Sequence, residues 1–379
     1  MIIGIDGNEA NQNERVGVHQ YALALLWGLY KLQDTETSDI TFMIYLKNAP
    51  QSDLPPENSH WKYKIIYGGK VWILTKLMPA LMITEKIDVF YSPSHYLPPF
   101  SRCPRVCMIH DLGYLKFSEQ FKKYDFWQLK YWSAISIIIS KYIICPSEST
   151  GRDIVRHYPF ARKKIKVVPH GYDNSKFHPK ISQKFVRRVT NKYRITKNYI
   201  LYISTLKPSK NVEGLLDAYK LLKSDISKEG VELVIAGRKG WLYESIFQKV
   251  KTLGLEKDVI FTGYVSEEDK PALIRGAKVF VLPSYWEGFG MEAINSMACA
   301  TPVVVSKVAS LPEIVGNAGI YVDPGSPESI ANGLQIILKM NEKEYNRQVE
   351  LGLRQAQKFS WDKTARETLK VLENANNKG

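Results

Sequence analysis

Short apolar runs alternate with amphipathic stretches along almost the whole chain. A strand-like run, a helical pattern and a second strand-like run open the sequence, in "MIIGID", "GVHQYALALLWGLYKL" and "ITFMIYL". After a polar, basic segment at about 177–198 the alternation restarts, from "YILYIST" to "GIYVD". Buried strands separated by helices are typical of a parallel sheet that is covered on both faces. The pattern therefore predicts two doubly wound, Rossmann-like α/β domains.

The polar segment 177–198 holds no apolar strand, and we interpret it as the connection between the domains. We expect an N-terminal domain over residues 1–178 and a C-terminal domain over residues 179–360. The stretch "WDKTARETLKVLENA" predicts a helix within 361–379, with Asp362 as its N-cap, that crosses back to the N-terminal domain. Ligands of open α/β sheets bind beyond the carboxyl ends of the strands, so we expect the functional residues to face an interdomain cleft.

Composition favours a globular protein in a reducing compartment. Hydrophobic residues make up 45% of the 379 residues and charged residues 24%. The four cysteines show no metal-binding spacing, and Met1 leads directly into a strand-like run, so we expect a cytoplasmic protein without a signal peptide. The longest apolar candidate, "YWSAISIIISKYIIC", is interrupted by serines and Lys141 and is shorter than the roughly 20 residues of a membrane-spanning helix.

The net charge of +14 is spread along the chain. Residues 1–180 contain 23 Lys and Arg against 16 Asp and Glu, which leaves 29 against 22 for the rest, an excess of 7 in each part. This spread, without a recognised module, argues against a nucleic-acid partner. Two clusters, "FKKYDFWQLKYW" and "ARKKIK", fit either solvated basic faces or contact with anionic lipid at the inner face of the membrane.

The stretch "WEGFGMEAIN" places an acid and two glycines between the strand-like "KVFVLPS" and a helix. Gly288 and Gly290 let the backbone approach a ligand closely, and amides at the helix start can hold phosphate oxygens. Glu287 can accept hydrogen bonds from sugar hydroxyls. A tight turn alone would explain the glycines but not the exposed acid.

Together with "MACATPVVVS", "SLPEIVG" and "LYISTLKPSKNVEGLLDAY", this loop resembles the signature of retaining nucleotide-sugar glycosyltransferases of the GT-B fold, glycosyltransferase family four. The resemblance covers nearly the whole chain. That family carries a glutamate, Gly-Phe-Gly and a second glutamate eight residues after the first. Glu287 matches the first position, and Asn295 stands at the second. The resemblance implies that the second position holds ribose hydroxyls, so a neutral amide there predicts an active but weaker donor site, which Asn295→Glu should tighten.

Further site residues combine strand-end position with the same resemblance. Lys210, in the loop "STLKPSKN", can neutralise a departing diphosphate. His110 ends the strand-like "CMIH" and is implied to lie beside the transferred sugar, whereas His170 in "VVPHGYD" is interpreted as structural. The expected catalytic residues are Glu287, Lys210 and His110. The expected donor-binding residues are Gly17, Val18, Ser204, Thr205, Tyr264, Val265, Gly288, Phe289, Gly290, Met291 and Asn295.

The resemblance implies transfer of a hexose from a nucleoside-diphosphate sugar to an acceptor hydroxyl, with retention of anomeric configuration. Mannosyltransferase-like members fit best, which favours GDP-mannose as co-substrate and a glycan or lipid-linked glycan as acceptor. No Asp-x-Asp triplet occurs, so we expect no metal and no other cofactor. A sugar-nucleotide epimerase, a phosphorylase and a catalytically weakened relative stay open. A nicotinamide dehydrogenase does not fit, since "GIDGNEAN" lacks its glycine pattern.

Overall fold

The computed structural model describes residues 1–33, 39–120, 123–225 and 230–377. Contacts divide the chain into two compact units. Unit 1 comprises Met1–Gly171 and Ser360–Gly379, and unit 2 comprises Tyr172–Phe359. Over the described residues, no helix combines the length and apolar character that crossing a bilayer requires.

Unit 1 is built on a parallel sheet in the order β3-β2-β1-β4-β5-β6-β7. Its strands are β1 (Ile2–Asp6), β2 (Thr41–Leu46), β3 (Trp61–Ile65), β4 (Val89–Ser92), β5 (Arg105–Met108), β6 (Tyr142–Cys145) and β7 (Ile165–Val167). Its first helices are α1 (Val18–Leu32), α2 (Met78–Ile83), α3 (Gly113–Lys116), α4 (Lys123–Ile139) and α5 (Glu148–His157). A π-helical turn, Ile73–Leu77, leads into α2.

Successive residues of the unit 1 strands pack on opposite faces of the sheet, as the pleat requires. Tyr91 of β4 belongs to a buried cluster that includes Leu25 of α1. Its neighbour Phe90 belongs to a second cluster, with Leu81 of α2 and Ile154 of α5. Both faces of the sheet are therefore covered, which is why its strands are almost continuously apolar.

Unit 2 is built on a second parallel sheet, in the order β10-β9-β8-β11-β12-β13. Its strands are β8 (Tyr199–Ile203), β9 (Glu232–Ala236), β10 (Val259–Gly263), β11 (Val279–Leu282), β12 (Val303–Ser306) and β13 (Gly319–Val322). Its helices are α6 (Gln183–Lys192), α7 (Val212–Asp225), α8 (Glu244–Thr252), α9 (Lys270–Gly276), α10 (Met291–Ala298), α11 (Leu311–Val315), α12 (Pro327–Lys339) and α13 (Glu342–Ala356).

The predicted fold class, two doubly wound α/β units, is confirmed. In unit 1 the strand order reverses between β1 and β4, and in unit 2 it reverses between β8 and β11. Loops that leave neighbouring strands in opposite directions open a crevice at their carboxyl ends, which is where open α/β sheets bind ligands. The predicted active-site loop of unit 2 follows β11, directly at this reversal.

Two local predictions need correction. The last helix, α14 (Trp361–Asn376), is capped by Ser360, whose side chain accepts a hydrogen bond from the Lys363 amide, and not by Asp362. A serine outside the helix can take the extended backbone of an N-cap, whereas Asp362 already lies in the first turn. The segment 177–198 is more than a connection, because it contains α6, which buries Val186 and Val189 in the core of unit 2.

Helix α14 belongs to the core of unit 1. Its residues Leu369 and Leu372 lie in the same buried cluster as α1. A Cβ on Gly28 of α1 would approach the Ala365 Cβ to 2.8 Å, so the glycine allows the two helices to pack closely.

Candidate active site

A partly buried ion pair joins the two charged residues that the sequence singled out in unit 2. Lys210 ends a 3₁₀ turn, Pro208–Lys210, that follows β8, and Glu287 lies in the loop between β11 and α10. Lys210 Nζ is 2.5 Å from Glu287 Oε1, and the two side chains are only 14% and 11% exposed. Because β8 and β11 are neighbours in the sheet, their carboxyl ends bring the two loops together. The sequence predicted both residues but not their pairing.

Glu287 is fixed through both its side chain and its backbone. Ser284 Oγ donates to Glu287 Oε1 at 2.8 Å, and Ser310 Oγ donates to the Glu287 carbonyl oxygen at 2.9 Å. The Tyr285 amide donates to the Ser209 carbonyl at 3.0 Å, which ties this loop to the loop after β8. Among the described residues, the side-chain partners of the carboxylate bind Oε1, so Oε2 can accept a hydrogen bond from a ligand hydroxyl.

The glycine before α10 has a conformational reason of its own. Gly290 has φ 93°, in the left-handed region, and a Cβ there would meet Leu311 Cδ2 at 2.7 Å. Phe289, 4% exposed, packs edge-on against Phe359 with ring centres 5.8 Å apart. Met291 begins α10, so the helix's amide end starts directly after the glycine. Gly290 therefore builds a turn that also presents backbone amides at a helix start.

Asn295 is engaged within its own helix. It is 8% exposed, and its Nδ2 donates to Glu292 Oε2 at 3.0 Å. The other Glu292 oxygen pairs with Lys270 Nζ at 3.0 Å, and Lys270 also binds Glu267 at 2.6 Å. Burial alone would lower the pKa of Lys270, but the two carboxylates outweigh it and raise that pKa. Because the side-chain NH₂ group of Asn295 donates to Glu292, the side-chain oxygen Oδ1 is the atom that could accept a hydrogen bond from a ligand.

The remaining unit 2 residues of the predicted site lie on the loops after β8 and β10. Ser204 and Thr205 directly follow β8, and the Ser204 amide donates to the Ala236 carbonyl at 3.1 Å. Tyr264 follows β10 and is 42% exposed, whereas Val265 is buried. The Arg238 guanidinium lies 4.7 Å from the centre of the Tyr264 ring, a cation–π contact that orients the exposed ring.

Gly17, Val18 and His110 lie in unit 1. Gly17 is the exposed N-cap of α1, with φ 38° and no side-chain cap within the described residues, and Val18 begins the helix. In this first turn the His19 amide already donates to the Val16 carbonyl oxygen at 2.8 Å, so an anion could bind only the other amides of the helix start. His110 Nε2 is 3.0 Å from the Pro93 carbonyl oxygen. A carbonyl only accepts, so Nε2 carries the proton. Burial lowers the pKa of His110, which leaves a neutral ring whose Nδ1 is the acceptor.

His170 fits the structural role predicted for it. It is 4% exposed, and its ring lies 4.5 Å from the Tyr21 ring and stacks at 6.0 Å on Trp361. Burial lowers the pKa of His170 well below its usual value. His170 is therefore a neutral imidazole that packs among aromatic rings in the core of unit 1.

The structure adds residues that sequence reasoning missed. Ser284 and Ser310 hold Glu287, Arg238 orients Tyr264, and the Lys270–Glu292 pair engages Asn295. Ser284 and Glu292 had a visible signal, since Ser284 ends the apolar run "KVFVLPS" just before the acid and Glu292 lies three residues before Asn295. Ser310, Arg238 and Lys270 come from separate elements, and their contacts depend on the tertiary fold.

Two family descriptions match consecutive parts of the chain. "Glycosyltransferase Family 4" matches residues 48–176, all but the last five of them in unit 1. "Glycosyl transferases group 1" matches residues 185–354, within unit 2, and this stretch contains Lys210, Glu287 and Asn295.

Among similar proteins is the O-antigen chain mannosyltransferase B of Escherichia coli, 32% identical over 285 residues, which are 74% of this chain and 73% of that protein. The serotype-specific mannosyltransferase WbdA of Escherichia coli is 24% identical over 366 residues, which cover 93% of this chain but 44% of WbdA. The chain thus spans less than half of this larger relative.

Solved structures share the fold at low sequence identity. Sucrose-phosphate synthase from Thermosynechococcus elongatus superimposes with a TM-score of 0.76 at 18% identity, covering 98% of both chains. Anabaena HepE, in complex with UDP and glucose, superimposes with a TM-score of 0.75 at 17% identity, covering 98% of this chain and 99% of that one. These neighbours confirm the GT-B architecture. The chain belongs to the group 1 glycosyltransferases, is family-four-like, and has mannosyltransferases among its relatives.

Proposed function

We propose that the protein transfers a hexose, with mannose favoured, from a nucleoside-diphosphate sugar to a hydroxyl of a glycan or lipid-linked glycan, with retention of configuration. GDP-mannose is the favoured donor. The observation that carries the proposal is the partly buried Lys210–Glu287 ion pair at the strand-order reversal of unit 2, beside the start of α10. The mannosyltransferases among the relatives support the choice of sugar.

Lys210 is proposed to stabilise the leaving diphosphate. An ammonium group has three N–H donors, and Glu287 accepts from one of them, so the same nitrogen can bind phosphate oxygens without leaving its partner. The ion pair holds the cation in place before the donor binds. Charge that builds up on the departing phosphate then meets a fixed positive group, which needs no reorganisation during the reaction.

Glu287 is proposed to position the transferred sugar through Oε2 and to balance positive charge at the anomeric carbon. Backbone amides of Gly288 to Met291 are proposed to bind the diphosphate, and the loop carrying Tyr264 and Val265 the nucleobase. Asn295 would bind the ribose hydroxyls through its side-chain oxygen Oδ1. In unit 1, the amides after Gly17 and His110 Nδ1 are proposed donor contacts. No metal or other cofactor takes part in this proposal.

The experiment is a transfer assay with GDP-mannose, UDP-glucose and ADP-glucose, each with and without a lipid-linked glycan extract as acceptor. We expect acceptor-dependent release of GDP, unchanged by EDTA, and labelled mannose in the glycan. UDP-glucose is included because a sucrose-phosphate synthase has the same fold. Release of the nucleoside diphosphate at the same rate with and without acceptor would indicate hydrolysis. Conversion of the sugar nucleotide to an isomer, without release of the nucleoside diphosphate, would indicate an epimerase. Either result contradicts the proposal.

Lys210→Ala should lower turnover by about 10²- to 10³-fold, the usual loss when a group that stabilises transition-state charge is removed. Because Glu287 would then be left without its cation, the melting temperature of the variant must be measured alongside. Lys210→Arg keeps the charge and should recover part of the activity. The exposed Lys251 of α8 provides the matched control, and Lys251→Ala should act like the wild type. Equal turnover of Lys210→Ala and wild type would contradict the assignment.

A further inference from the structure

One face of α4 in unit 1 exposes large apolar side chains at helical spacing. They are Tyr124, Trp127, Tyr131, Ile135 and Ile138, with exposed fractions of 77%, 45%, 60%, 39% and 57%. Steps of three and four residues place all of them on one side of the helix. Trp127 and Tyr131 stack with ring centres 5.4 Å apart, so the side chains form a continuous patch.

The opposite face of α4 buries serines together with Ile137, and Phe126 and Leu129 of the same helix pack against the core of unit 1. Ser133 and Ser136 are 1% and 0% exposed. Ser136 Oγ donates to the His95 carbonyl at 2.7 Å and accepts from the Leu97 amide at 3.1 Å. The helix is thus attached partly through hydrogen bonds, while its aromatic face points to solvent. Helix α4 therefore has one apolar face packed in unit 1 and a second one in solvent, and an exposed apolar patch of this kind marks a contact with a membrane or a partner.

Lysines lie beside this patch, and one further aromatic side chain extends it. Lys130 Nζ lies 4.8 Å from the centre of the Trp127 ring. At the far end of α4, Lys164 Nζ donates to the Ile138 carbonyl at 2.7 Å, which places the 3₁₀ segment Pro159–Lys164 against the helix. That segment adds Phe160, 55% exposed. Along the sequence, 121–132 and 161–166 together carry seven Lys and Arg and one Asp.

We propose that the α4 surface, formed by the exposed face of α4 and by Phe160, rests in the headgroup region of an anionic lipid bilayer. Tyrosine and tryptophan settle at the boundary between water and hydrocarbon, and lysines attract acidic headgroups. A soluble polyanion would bind the lysines but leave the aromatic side chains exposed to water. A second copy of the chain would set like charges against each other. Of these three partners, the lipid surface alone matches both the apolar and the basic parts.

The test is flotation of the full chain with phosphatidylcholine vesicles that contain either no anionic lipid or about 30% phosphatidylglycerol. We expect binding to the anionic vesicles only, weakened when salt is raised to about 0.5 M because screening removes the electrostatic part. Trp127→Ser combined with Tyr131→Ser should lower the partition coefficient at least roughly tenfold, since two interfacial aromatic groups are lost. Lys130→Glu combined with Lys163→Glu should do the same.

The controls carry equivalent changes at exposed sites of unit 2. Leu242→Ser with Ile336→Ser matches the apolar pair, at 59% and 49% exposure. Lys251→Glu with Lys257→Glu matches the charge reversal. Both controls should bind vesicles as the wild type does, and all variants should keep its melting temperature. Equal binding to both vesicle types, loss of binding in the controls, or a dimer in solution that Tyr131→Ser dissociates would overturn the proposal. Donor binding is measured separately, without vesicles, so a failure here leaves the proposed transfer reaction untouched.

Discussion

At the scale of single residues, Asn295 is the group that we propose to bind the ribose of the donor. The change from an anion to an amide removes a charge-assisted hydrogen bond, which is worth roughly twice a neutral one. The structure adds a fact that the sequence did not show. Asn295 Nδ2 lies 3.0 Å from Glu292, whose other oxygen pairs with Lys270. A carboxylate at 295 would therefore face a second carboxylate at hydrogen-bonding distance.

We accordingly expect Asn295→Glu to tighten GDP binding fully only when Glu292→Gln removes the opposing charge. The double variant should bind GDP about 5- to 30-fold more tightly than Glu292→Gln alone, which corresponds to about 1–2 kcal/mol. Titration calorimetry with GDP measures the difference, with Glu292→Gln as the matched background. If the double variant binds GDP no more tightly than that background, Asn295 does not contact the ribose.

At the scale of secondary-structure elements, the apolar runs predicted the strands and most helices, because the central strands such as β4, β8, β9, β11 and β12 bury all their residues. The elements that escaped prediction bury few. Helix α6 buries only Val186 and Val189, and α13 buries only Gly352, Gln355 and Ala356. Polar helices such as these are set by tertiary contacts. For the same reason the sequence placed Glu287 and Lys210 on strand-end loops but could not show that they form an ion pair.

The turn before α10 gives a prediction at this scale. Gly290→Ala must place a Cβ in a left-handed conformation and 2.7 Å from Leu311 Cδ2, so it should destabilise unit 2 by about 1–3 kcal/mol and weaken GDP binding. Gly254, with φ 63° and no atom within 4 Å of the position that a Cβ would take, is the matched control. Gly254→Ala should lower the melting temperature slightly and leave GDP binding unchanged. If both variants changed the GDP affinity equally, the turn at Gly290 would have no specific part in binding GDP.

At the scale of the whole molecule, each unit carries its own sheet with its own strand-order reversal, and the chain returns to unit 1 through α14. The residues proposed to bind the donor's diphosphate and ribose, apart from those at the start of α1, lie in unit 2. The apolar and basic α4 surface lies in unit 1. We therefore expect the nucleotide and the lipid to bind different parts of the chain.

The central claim, that the loops after β8 and β11 bind a sugar nucleotide, is tested most directly by amide hydrogen exchange with and without GDP-mannose. Bound ligand slows local opening, so exchange should slow in residues 204–211 and 284–295 and in the loop at 263–265. Lys210→Ala should lose most of this protection at the same ligand concentration. Protection confined to other parts of unit 2, or no protection with any of the GDP, UDP or ADP sugars, would contradict the account.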